Sequence, residues 1–207
     1  MLKRFLASII TIFLSGCSIF GISNVPEPNY KSLKTDNNFS IREYKPIIEA
    51  QVQINNNDYK SAVNKGFKEL FKYITGENIS NEKIKMTKPV VIKQNSQKIA
   101  MTAPVLVKEG KESWIISFIL PESFNIDDAP KPTNNSIKLV EVPQEKVAVI
   151  NFNGSFNEEA IKENTSKLKN WINHNNLVQI GEPRAAGYNP PWTIPYFRKN
   201  EIQIPIK

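Results

Sequence analysis

The chain holds one cysteine, Cys17, and one histidine, His174, in 207 residues. A lone cysteine excludes an internal disulfide, and a lone histidine excludes a histidine-rich metal cluster. A Cys–His nucleophilic pair is excluded as well once Cys17 is assigned below to another use. A Ser-His-Asp triad would have to use His174, which stands among asparagines at the end of a helical pattern. No Gly-x-Ser-x-Gly elbow, Walker loop or dinucleotide fingerprint occurs. Asp127 and Asp128 lie in a proline-flanked stretch and read as solvated rather than as a catalytic pair. The expectation is a protein that is not an enzyme and has no metal centre of its own.

Acids are also in short supply, at 20 against 27 bases. The first 16 residues contain Lys3 and Arg4 and no acid, so their removal would lower the formal charge from +7 to +5. The lysines are scattered, a pattern that fits solvated surface and disfavours nucleic acid as a partner. The apolar run from Phe5 to Leu14 is too short to span a bilayer comfortably. With two bases before it and Leu14-Ser15-Gly16-Cys17 after it, it has the layout of a secretory signal over residues 1–16. The four closing residues resemble the lipobox of bacterial lipoproteins, in which the cysteine is lipidated and becomes the new N-terminus. Residues 17–38, polar and without an apolar period, then read as the tether to a single domain over residues 39–207. Lipidation of Cys17 implies membrane attachment in the cell envelope, and Ser18 is compatible with the periplasmic face of an outer membrane.

Within the domain, residues 42–74 lie on residues 140–172 without a gap. Glu43 meets Glu141, Ala50 meets Ala148, Leu70 meets Leu168 and Ile74 meets Ile172, whereas Phe67 and Phe71 fall on Thr165 and Lys169. Each copy has one plan: a strand (Phe39 to Tyr44; Ile137 to Val142), a second strand (Ile48 to Ile54; Val147 to Phe152) and a helix. The first helix, Tyr59 to Thr75, carries Ala62, Val63, Phe67, Leu70, Phe71 and Ile74 on one stripe, and Gly76 stops it. The second opens on a capping box, Ser155 with Glu158, and buries Ile161, Leu168, Trp171 and Ile172. A shorter repeat sets Ile84 to Lys93 against Ile99 to Lys108, two strands around a turn at Asn95, Ser96 and Gln97. The proline in each Met-Thr-x-Pro-Val phrase marks an edge, a bulge or a strand start. Further strands are expected at Ser113 to Leu120, Ala185 to Tyr188 and Glu201 to Ile206, giving an α+β domain with pseudo-twofold character.

Phe67 and Phe71 on a shared helix face, with Tyr188, Trp192, Tyr196 and Phe197 from a proline-rich loop, could build an apolar pocket. Lys68, Lys72, Arg184 and Arg198 would supply cations for a flat, apolar, doubly anionic ligand. The helix aromatics fit a plain core role equally well. The Trp192 loop also fits a surface that docks a partner.

The stretches Phe39–Tyr44, Phe71–Gly76 with Asn78, Lys98–Val105, Ala186–Pro191 and the closing Asn200–Glu201 strand resemble the SOUL family of haem-binding proteins. The resemblance implies a distorted antiparallel β-barrel of two pseudo-repeated halves, each with one helix packed on the sheet. It also implies haem or another porphyrin as a non-catalytic ligand. In family members with a histidine axial ligand, that residue follows the arginine of the first strand, and here the position is Glu43. The other mode implied is an apolar groove beside the first helix, which maps to Val63, Phe67, Phe71 and Lys72; the aromatic-pocket reading above adds Tyr188 and Trp192 from the loop as candidate ligand contacts. The expected function is a lipid-anchored, monomeric haem carrier or buffer of the cell envelope. The alternative is an interaction or structural module that has lost haem binding, and a third reading is an enzyme acting on a tetrapyrrole or other small molecule.

Overall fold

A computed structural model describes residues 25–95, 113–190 and 192–207. The signal segment, Cys17, the second Met-Thr-Ala-Pro-Val phrase and Pro191 lie outside these residues. The described strands are β1 (Tyr30–Asp36), β2 (Phe39–Tyr44), β3 (Ile47–Asn55), β4 (Val90–Asn95), β5 (Ser113–Ile119), β6 (Ile137–Val142), β7 (Glu145–Phe152), β8 (Arg184–Gly187) and β9 (Asn200–Ile206). Helix α1 (Tyr59–Ile74) follows β3, helix α2 (Glu158–His174) follows β7, and a 3-10 turn covers Pro195–Phe197.

All strands join one antiparallel sheet in the order β1-β2-β7-β9-β8-β4-β5-β3-β6. With β1 set aside, exchanging β2 with β6, β3 with β7, β4 with β8 and β5 with β9 turns this order onto itself. That is the signature of a pseudo-twofold axis between β8 and β4. The register obeys the same exchange: Phe39 pairs with Ile150, and the equivalent Ile137 pairs with Val52. Each half lends its first strand to the second strand of the other, so neither half has a complete sheet alone. The sheet is curled, and Tyr44 of β2 and Glu49 of β3, near opposite ends of the strand order, line one cavity. The α+β class, the two pseudo-repeated halves and one helix per half all stand.

The helices form where the stripes and caps place them. Asp58 accepts from Ser61 N at 2.9 Å to start α1, and Gly76, at φ +124°, follows its end. For α2 the cap is Asn157, which accepts from Ala160 N at 3.0 Å, rather than Ser155. Glu158 and Glu159 fall in the first turn, where negative charge suits the helix dipole. Helix α1 buries Ala62, Leu70, Tyr73 and Ile74 against Ile116, Phe118 and their neighbours on β3 and β5. Helix α2 buries Leu168, Trp171 and Ile172 against Ile150, Ile202 and Ile204 on β7 and β9.

Two other boundaries differ from expectation. Residues Tyr30–Asp36, expected within the tether, instead form β1 on the edge of β2. Asp36 accepts from Trp171 Nε1 at 2.8 Å, which ties this strand to α2. The strand expected from Ile84 begins only at Val90, after a cis Lys88–Pro89 bond, so Pro89 marks a strand start.

Gly66 faces the sheet so closely that a Cβ there would lie 2.8 Å from Ile116 Cδ1 and Cγ1. Alanine in a helix is favoured over glycine by about 1 kcal/mol, yet overpacking costs about 1–3 kcal/mol. Gly66→Ala is therefore expected to lower the denaturant midpoint, opposite to helix propensity. A raised midpoint would show that Ile116 can yield.

Candidate ligand-binding groove

On the helix-bearing face, a groove of about 490 Å³ lies between α2 and the strands next to the pseudo-axis. Its volume falls within the ~300–1,000 Å³ typical of small-molecule sites. Ile92 of β4, Trp114 of β5, Ile161 of α2 and Ala185 of β8 supply apolar surface, while Lys162, Lys169, Glu158 and Glu182 supply charge. Trp114 is 5% exposed, and its indole N–H has no hydrogen-bond partner among the described residues. A buried donor without a partner is uncommon and costly. Edge-on contact with Tyr59, ring centroids 5.1 Å apart, fixes the indole from the α1 side.

The pseudo-symmetry explains why this groove is open. Ile161, Thr165 and Lys169 occupy the repeat positions of Val63, Phe67 and Phe71. On α1 those positions are apolar: Val63 and Phe67 are half-buried against the first core, and Phe67 meets Phe118 edge-on at 5.2 Å. Phe71 stacks on Phe67 at 6.0 Å and is 46% exposed, so it is not core, and Lys72 is exposed in the last turn. On α2 a threonine and a lysine stand in for the two rings and leave room beside the sheet. The signal for this groove was the mismatch within the repeat, Phe67 and Phe71 against Thr165 and Lys169.

The six expected site residues do not form one pocket. Val63, Phe67, Phe71 and Lys72 share α1, whereas Tyr188 is buried on the opposite face of the sheet, donating to Glu201 Oε2 at 2.7 Å. Trp192 is 65% exposed on its loop. His174 is exposed at the end of α2, away from the groove lining, and Glu43 is half-buried on β2. Among the described residues no group of three or more His, Cys, Asp or Glu is placed to hold a metal ion.

The face turned away from the helices is polar yet buried, a feature that the strand alternation did not reveal. Glu201 accepts from Arg42 Nη1 at 2.9 Å, Tyr188 OH at 2.7 Å and Gln203 Nε2 at 2.9 Å. Arg184 donates to Gln203 Oε1 at 3.0 Å and pairs with Glu145. Burial, then the nearby Glu201 charge, push the Tyr44 hydroxyl up to about 12 despite Arg42. Residues 26–29 cross the rim of this face. Lys88 N donates to Pro26 O at 2.9 Å, Asn29 bonds Glu122 twice at 3.0 Å, and Glu27 pairs with Lys199 at 2.9 Å and Lys88 at 3.2 Å.

Burial works to raise the Glu27 pKa, but Lys199 and Lys88 together overcome it and hold the carboxyl below its usual 4.5. A depressed folded pKa means that the contact stabilises the fold above the unfolded value and is lost as pH falls through the folded one. The stability difference between wild type and Glu27→Gln is therefore expected to be full at neutral pH and to vanish on acidification below about 4.5. Parallel thermal melts across that range check this, and a difference independent of pH would contradict it.

The described residues thus form a curled sheet of two dyad-related halves, with a groove of mixed apolar and charged lining walled by α2. The fold has known likenesses: the EcmrR C-terminal domain superposes with TM-score 0.61 at 13% identity, over 86% of this chain and 98% of that one. A hydrolase from Listeria innocua gives TM-score 0.55 at 10% identity, over 84% and 94%. At such identities these likenesses concern the fold alone. The chain belongs to the SOUL heme-binding protein family, which it matches over residues 25–205. Heme-binding protein 2 of Homo sapiens is 26% identical over 167 residues, covering 80% of this chain and 77% of that protein. The Mus musculus protein of the same name is 27% identical over 170 residues, with the same coverage. Family membership makes haem the ligand class of this chain.

Proposed function

We propose that the groove beside α2 binds haem or a related tetrapyrrole reversibly, and that the protein is a lipid-anchored carrier or buffer of the cell envelope. The observation that carries the site is the groove itself: apolar surface from Ile92, Trp114, Ile161 and Ala185, an indole N–H without a partner among the described residues, and Lys162 and Lys169 on one wall. Haem supplies a flat apolar macrocycle with two carboxylates, and these residues suit both parts. The apolar residues would bury the ring, the two lysines would pair with carboxylates, and Trp114 Nε1 would gain an acceptor. Contact and charge without a histidine ligand favour release, which suits carriage better than redox work. Support for the anchor is the Leu14–Cys17 pattern and the chain's single cysteine.

Haemin titration of the protein, followed by the Soret band, tests the groove. Lys162→Glu with Lys169→Glu is expected to weaken binding roughly tenfold or more, since each reversal replaces an attraction by a repulsion of order 1 kcal/mol. The loss should shrink as salt rises. The exposed Phe71 stacked on Phe67 makes the α1 face the second candidate, and Phe67→Ser with Phe71→Ser is its probe. Loss only in the second variant would move the site to α1. Weak, non-saturating binding unaffected by either pair would favour the interaction-module reading.

A further inference from the structure

Loop 192–197 presents apolar side chains outward from a fixed backbone. Trp192 is 65% exposed, Tyr196 77%, and Ile194 and Phe197 41% each, while Thr193 between them is buried. The backbone is held at several points: Phe197 N donates to Ile194 O at 2.9 Å, and Gly154 N donates to Pro195 O at 2.9 Å. Asn153 Nδ2 donates to Tyr196 O at 3.2 Å and Arg198 O at 3.0 Å. Clustered exposed aromatic surface of this kind marks an interaction site. Trp and Tyr suit the headgroup region of a bilayer, where amphipathic rings find favourable surroundings.

A second observation says which partner lies there. The described chain enters the fold beside this loop, because Glu27 pairs with Lys199 at 2.9 Å. Only Ser18 to Asn24 separate Cys17 from Val25. A segment of that length reaches at most about 25–30 Å when fully extended. A lipid on Cys17 would therefore keep the aromatic loop close to the same bilayer. We propose that loop 192–197 is a membrane-contact face that seats the domain against the bilayer holding Cys17. This deepens the lipid-anchored reading and rests on it.

The test uses the full chain reconstituted in phosphatidylethanolamine/phosphatidylglycerol vesicles with bromine-labelled acyl chains, which quench only tryptophans that reach them. Trp114 and Trp171 are buried and Trp192 is exposed, so a quenched component should be present in the wild type and absent from Trp192→Phe. Mass spectrometry of Cys17 is read on the same sample. Lipidated protein with an unquenched Trp192 would overturn the loop contact and leave the anchor standing. Unmodified Cys17 would overturn the anchor, and quenching of that chain on added vesicles would then support the loop contact alone, its absence overturning both. As a second variant, Tyr196→Asp should lower vesicle association of unlipidated chain roughly tenfold, about the effect of losing one aromatic side chain's burial. A photoreactive group at position 196 that captures a protein rather than lipid in cells would also overturn the proposal.

Discussion

Replacing Glu201 by alanine is expected to destabilise the fold by about 3–5 kcal/mol, the usual cost of removing one partner from a buried ion pair. Glu201 has no exposed surface on β9, and the Arg42 side chain opposite it is 6% exposed. Burial works to lower the pKa of Arg42, and Glu201 followed by Tyr44 overcomes this and raises it. Arginine does not deprotonate in proteins. In the variant a buried guanidinium would thus keep its charge while losing its counter-charge, and the Tyr188 hydroxyl would lose its acceptor. Arg42→Met should cost less, since the carboxyl left behind keeps its bonds from Tyr188 and Gln203 and still has Lys199 Nζ 3.9 Å away. The double variant Arg42→Met/Glu201→Leu should recover much of the loss, because apolar side chains of similar volume often replace buried pairs at little cost. Urea unfolding of the four proteins reads all of this. A single Glu201→Ala variant as stable as wild type would mean that the network does not hold β2, β9 and Tyr188 together. Against total stabilities of about 5–15 kcal/mol, the expected loss leaves little margin.

The elements legible in the sequence were those whose pattern is local. Stripes at three-and-four spacing placed both helices, and an ungapped repeat placed β2 with β6 and β3 with β7 to within a residue or two. The N-terminus of α2 was two residues off because Ser155 and Asn157 can both cap, and only the path of the chain decides between them. Strand β1 was missed for a different reason: Tyr30–Asp36 is almost wholly exposed and gains its order from pairing with β2, not from an apolar period. Alternation misled on the other face of the sheet. Along β3 the residues Glu49, Gln51 and Gln53 alternate with Ala50, Val52 and Ile54, the usual pattern of one solvated face, yet Glu49 is 1% exposed. Curling of the sheet and the crossing of residues 26–29 bury that face, and both depend on contacts between distant parts of the chain. Whether the aromatic residues of α1 and of the 188–197 stretch could share one pocket was not legible, because that needed knowledge of which face of the sheet each one occupies.

The repeat itself supplies the sharpest test of where ligand binds. Exchanging Thr165 and Lys169 for phenylalanine gives α2 the residues that α1 carries at Phe67 and Phe71. Two added rings would occupy the groove next to Ile161 and Trp114, and one cation would be lost from its wall. Haemin binding is expected to fall at least a hundredfold, since the apolar contacts and one carboxylate partner are removed together, a loss of about 3 kcal/mol or more. Thr165 and Lys169 are not core positions, so the fold should survive, and unchanged far-ultraviolet dichroism with an unchanged unfolding midpoint would establish this. The opposite result is equally informative. If ligand stacks on an aromatic helix face like that of Phe67 and Phe71, the exchange builds a second such face across the pseudo-axis, and the stoichiometry should rise toward two haemins per chain. A folded variant that binds one haemin with wild-type affinity would exclude the α2 groove and leave the α1 face as the site to pursue.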